Sequence, residues 1–123
     1  MLVIRDEQLQ MLSEARRTAF ALRMVEHLRR VFSEWAERQT SETLLAFVQH
    51  GMARASSYGF EVELDVARYL HVMHDLGESF DRSPDYPWAP VLLTSSLPPG
   101  RKMDRLRDAA EYQMEAGRIA RGR

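Results

Sequence analysis

Residues 17–38, RTAFALRMVEHLRRVFSEWAER, decide the fold. Phe20, Met24, Leu28, Val31 and Trp35 recur there at steps of three and four, the spacing that puts side chains on one side of an α-helix. Leu9, Leu12, Ala15 and Ala19 carry the pattern backwards, and Asp6 and Glu7 put negative charge where a helix start favours it. Neither glycine nor proline interrupts before Gly51, so nothing in the run breaks a helix and one long helix is predicted over about 6–38.

The same reading extends along the chain. Periodicity lapses at Gln39-Thr40-Ser41, where Thr40 or Ser41 is placed to cap a second helix by accepting a hydrogen bond from its free amides. That helix runs to about Ser57 with Leu44, Leu45, Val48, Met52 and Ala55 inward, tolerates Gly51 for close helix packing, and closes at a left-handed Gly59. A third helix, Glu63 to Leu76, turns Val62, Val66, Tyr69, Leu70, Met73 and Leu76 to one face and stops at Gly77. Three prolines and three aromatics between Phe80 and Pro90 predict an ordered loop or a short helical turn beginning near Trp88. Val91-Leu92-Leu93 is expected to cover an open end of the core. A last helix is expected from Arg101 to Met114, with Met103, Leu106, Ala110 and Met114 on one side. The expected fold is all-α, a compact bundle of four to five helices with a proline- and aromatic-rich loop. Its domains are one helical unit over 1–114 and a flexible basic tail over 115–123.

Composition excludes several classes of function. At 123 residues there is room for one core, and 45% hydrophobic with 28% charged residues is an ordinary globular balance. The absence of cysteine removes disulfides, thiolate metal sites and a cysteine nucleophile together. Leu2-Val3-Ile4 is too short for a signal peptide core or a membrane span, so a cytoplasmic protein without membrane contact is expected. A net charge of −1 favours neither nucleic acid nor an acidic membrane. The charge is unevenly spread: seven acids face two bases over 59–90, whereas seven bases and four acids follow from Arg101. The basic tail lacks the interleaved aromatics of a nucleic-acid surface, and no nucleic-acid partner is assigned.

No nucleophile elbow, glycine-rich loop or phosphate-binding lysine motif is present, so no enzyme activity and no cofactor are assigned. His71, His74, Asp75 and Glu78 are the one grouping that resembles a metal site, with i,i+4 pairs on one helix. A site needs three or four converging ligands, and a solvated polar face explains these residues without one, so no metal is assigned. A small metal-dependent enzyme centred on them is the alternative they define. Asp81 and Asp85 beside Tyr86 and Trp88 resemble a sugar cleft, yet follow equally from turn chemistry. Apolar surface is the stronger signal. Met11, Leu22 and Val25 widen the arc of the first helix, and with Tyr86 and Trp88 they are the candidate partner-binding residues.

The stretch Gly51-Met52-Ala53-Arg54-Ala55-Ser56-Ser57-Tyr58-Gly59-Phe60 through Leu70, followed by Met73, Leu76-Gly77, Phe80-Asp81, Pro84 and Pro87-Trp88-Ala89, resembles a family of small uncharacterised bacterial proteins. Its members commonly begin with a segment like Ile4-Arg5-Asp6 and are encoded beside type VI secretion effectors and PAAR-tipped spike components. The resemblance covers most of residues 4 to 110 and carries over no catalytic residue. It implies a protein-binding accessory role: a chaperone or adaptor that holds an effector before loading, or an immunity protein that neutralises a toxin.

Overall fold

In a computed structural model the chain is all-α, and the structure describes residues 13–122. Six α-helices, one 3-10 turn and no strand are found among the described residues. The chain divides between Ala67 and Arg68 into two compact units, which are taken in turn.

In the first unit, α1 (Glu14–Val31) begins at Ser13, whose hydroxyl accepts from the Arg16 amide at 3.2 Å. Glu14 in its first turn and Arg29 and Arg30 in its last each lie at the end where the helix dipole favours their charge. The expected start near Asp6 lies outside the described residues. At the other end the long helix is interrupted, contrary to expectation. Phe32 leaves helical geometry at φ −118°, ψ 58°, although its amide still bonds Leu28 O at 2.8 Å. Helix α2 (Ser33–Glu37) then resumes on a new heading, with the Ala36 amide on Phe32 O. The bend brings Trp35 edge-on to Phe47, centroids 5.0 Å apart, and buries Ala36. Packing of the large indole against the next helix is the gain that offsets one irregular residue. The same bend leaves Val31, expected in the core, 47% exposed.

Helix α3 (Ser41–Ser57) is capped as the sequence suggested. Thr40 Oγ1 accepts from the Thr43 amide at 3.0 Å, and the Thr43 hydroxyl donates back to Thr40 O. Its C-terminus closes with two crossing bonds, Gly59 N–H to Ser56 O and Phe60 N–H to Ala55 O, at 3.0 and 2.9 Å. That pairing needs a left-handed residue between helix and exit, and Gly59 supplies φ +92°. Helix α1 packs on α3. The buried residues are Phe20, Ala21, Val25 and Leu28 from α1, and Leu44, Phe47, Val48, Gly51 and Ala55 from α3. Leu45 and Met52, expected inside, are only half-buried.

Helix α4 (Glu63–Leu76) crosses the division, and its remainder opens the second unit. Tyr69, Leu70, Val72 and Met73 are buried, and Gly77 at φ +118° ends the helix with its amide on Met73 O. Val62, expected on the inner face, is exposed. The proline-rich stretch is ordered. Phe80–Arg82 form the 3-10 turn, and Phe80 stacks on Tyr69 at 5.4 Å between centroids. Ser83 Oγ accepts from the Asp85 amide, and α5 (Trp88–Leu93) starts at Trp88. Of the apolar triplet that follows, Leu93 is buried, Leu92 half-buried and Val91 exposed.

Helix α6 (Pro99–Arg121) carries proline at its first position, where the missing amide costs nothing. It runs past the expected end at Met114 and includes Gly117, whose helix cost of about 1 kcal/mol is spread among good helix formers. Lys102 on α6 is 7% exposed, and its Nζ donates to Leu93 O at 2.9 Å. One of the carbonyls that the end of α5 leaves without an intrahelical donor is thereby satisfied.

Candidate protein-binding groove

A hollow of about 540 Å³ lies between α1 and α3 in the first unit. Its walls are Glu14, Arg17, Thr18 and Ala21 from α1 and Gln49, Met52, Ala53 and Ser56 from α3. Each set has spacing i, i+3, i+4, i+7, one face of a helix. Phe60 and Glu61, from the chain leaving α3, and Val66, in the first turn of α4, complete the lining. The cause of the hollow is side-chain size. Where the two helices face each other here they present Thr18, Ala21, Ala53 and Ser56, too short to fill the space between two backbones.

The floor is apolar, since Ala21, Phe60 and Val66 are buried and Met52 is half-buried. The rim is polar and carries both charges, with Glu14 and Arg17 exposed and Glu61 held at 3.1 Å by the Ser56 hydroxyl. Apolar floor and mixed rim suit a partner with one greasy side and one wet side. Nearby, Arg23 makes a two-pronged pair with Glu63, at 3.0 and 3.3 Å, which ties the middle of α1 to the start of α4.

The residues singled out from the sequence fall in different places. Met11 lies outside the described residues. Leu22 is 54% exposed and lines a second hollow, about 490 Å³, with Arg23, Met24, Glu26, His27 and Arg30. Val25 is 7% exposed and belongs to the core of the first unit. This corrects its place among surface candidates, because the buried arc of α1 runs from Phe20 through Leu28 and Ala21 to Val25, and so takes in Val25 while Met24 is half-buried. Tyr86 and Trp88 are half-buried in the second unit with ring centroids 6.0 Å apart, as rings bracing a proline-rich turn would be.

Among the described residues no three His, Asp or Glu side chains gather as a metal ion would require. His74 Nδ1 lies 3.0 Å from its chain neighbour Asp75, and His71 is half-buried. Asp81 is buried while Asp85 is exposed, so these acids do not line a common cleft. Met52, Ala53, Phe60 and Glu61 were not legible as site residues. The available signal was the matching set of short side chains on two neighbouring helices, and it has meaning only once the facing sides are known.

No protein-family model, curated protein or solved structure matches this chain. Its class is set by the fold itself: an all-α protein with a groove between two helices. No helix among the described residues is long and apolar enough to cross a membrane.

Proposed function

We propose that the protein is a non-enzymatic accessory protein that binds another protein, a chaperone or adaptor for a type VI secretion effector. The observation that carries this reading is the α1–α3 groove, with its apolar floor and two-signed rim. Each wall runs over eight residues, about 11 Å of helix, room for two turns of an amphipathic segment laid into it. A loading chaperone covers apolar surface that its cargo cannot yet bury. The resemblance carried by residues 51–89 and by Ile4-Arg5-Asp6 supplies the cargo, an effector or a PAAR-tipped spike component.

An immunity protein that neutralises a toxin is the second reading. It draws on the acids between Glu61 and Asp85, which would complement a basic active site. Glu63 is engaged by Arg23 and Asp81 is buried, so the groove is the better supported surface.

Affinity purification from a native lysate tests the proposal, using the wild-type chain beside Ala53→Glu. Ala53 is exposed on the groove wall, so the substitution blocks the groove while sparing the core. An effector or spike component is expected with the wild type and is expected to be lost with Ala53→Glu, at unchanged far-UV circular dichroism. Its absence from the wild-type eluate, or its undiminished capture by the variant, would overturn the reading.

A further inference from the structure

Residues 1–12 join the described chain at Ser13, next to Glu14, a wall residue of the α1–α3 groove. At φ −72° and ψ 135° Ser13 is extended, so α1 does not continue through it. The short link from Val31 to Ser41 makes α1 and α3 antiparallel, which sets the start of α1 beside the end of α3. Glu14 and Glu61, the latter held by the Ser56 hydroxyl, therefore share one mouth of the groove, and the joint at Ser13 stands at that same mouth.

The sequence before Ser13 matches the hollow in hydropathy and length. It carries the apolar run Leu2-Val3-Ile4, with Leu9, Met11 and Leu12 closer to the joint. Extended, the triplet covers about 10 Å, against about 11 Å for each groove wall. Arg5 to Leu12 reach up to roughly 26 Å, enough to reverse at Ser13 and return over the rim. We propose that Leu2-Val3-Ile4 of the chain's own N-terminal segment lie in the α1–α3 groove and cover its apolar floor until a protein partner displaces them. Charge agrees with that placement. Arg5 follows the triplet directly and comes to the mouth that Glu14 and Glu61 share, while Asp6 and Glu7 follow outside the rim, near Arg16 and Arg17 in the first turn of α1. The tether keeps the triplet at a high local concentration, so a weak contact suffices to cover the floor and a partner can still replace it.

The chain has no cysteine, so pairs of introduced cysteines test the placement in the full-length protein. Val3→Cys with Ala53→Cys puts one thiol in the triplet and one on the groove wall. Val3→Cys with Ala19→Cys is the control, since Ala19 is equally exposed but on the opposite side of α1. Under mild oxidation the first pair should close an intramolecular disulfide roughly tenfold faster or more than the second, because a disulfide needs Cα atoms within about 7 Å. Adding Leu2→Asp and Ile4→Asp should bring its rate down to the control. Leu2→Asp with Ile4→Asp alone removes two apolar side chains yet should raise the fluorescence of added anilinonaphthalene sulfonate, by uncovering the floor. Equal rates for the two cysteine pairs, cross-links formed only between chains, or dye fluorescence that falls or stays level would overturn the proposal.

Only the displacement step rests on the partner-binding reading above, and the cross-linking needs no partner. A chain that cross-links through Ala53→Cys but captures no effector or spike component keeps the covered groove and loses the accessory role. Where a partner is captured, the oxidised Val3→Cys, Ala53→Cys chain should lose it and the reduced chain should keep it. Equal capture by both forms would overturn displacement.

Discussion

A side chain added at Gly59 would meet nothing within 4 Å, so a substitution there is paid wholly in backbone conformation. Gly59→Ala is expected to lower stability by about 1 kcal/mol, and Gly59→Val by more than Gly59→Asn, since asparagine tolerates the left-handed region best. Denaturant unfolding measures the order of the three, and an alanine variant as stable as the wild type would remove the need for the left-handed exit. Lys102 makes a different point. It is the one lysine of the chain, and it is buried with its ammonium on the end of α5. Its acylation by an amine-reactive ester should be slow in the native protein and fast in denaturant, as peptide mass spectrometry would show. Rapid native labelling would contradict the Lys102–Leu93 contact. Nothing in the residue order around Lys102 hints at burial, because a lysine is almost always outside.

Between helices, the division of labour on α1 can be tested by truncation. Leu28→Ala and Leu44→Ala remove fully buried side chains of the first unit and should each cost about 2–5 kcal/mol, whereas Leu22→Ala should stay within about 0.5 kcal/mol. Equal costs at Leu22 and Leu28 in urea unfolding would mean that α1 is turned differently. Thr40→Ala should cost about 1 kcal/mol by freeing the Thr43 amide. Glu63→Gln should cost less, because Arg23 is exposed and Glu63 partly so, and water screens their attraction. The periodicity of α1, α3 and α4 was legible because a helix repeats every 3.6 residues whatever surrounds it. The bend at Phe32 was not. No glycine or proline marks it, and its reason is Phe47 on another helix, waiting for Trp35.

Across the whole chain, Ala53→Glu should remove an effector or spike partner while leaving far-UV circular dichroism and thermal unfolding unchanged; a loss of stability with the partner would place Ala53 in the core instead of on the groove wall. The groove was hidden in the sequence because it depends on which short side chains α1 and α3 turn toward each other.

Local chemistry alone determined that this chain is all-helical, and where several helices start and stop: Thr40 bonds the Thr43 amide, and Gly59 and Gly77 permit dihedrals that other residues avoid. These effects act within about one helical turn and therefore survive being read as text. Packing decided that Val25 went inside while Val31 stayed out, that Lys102 was buried, and that a hollow opened between Ala21 and Ala53. A helix with an apolar arc can be rotated by one residue at little local cost, and only the partners pressed against it choose the angle.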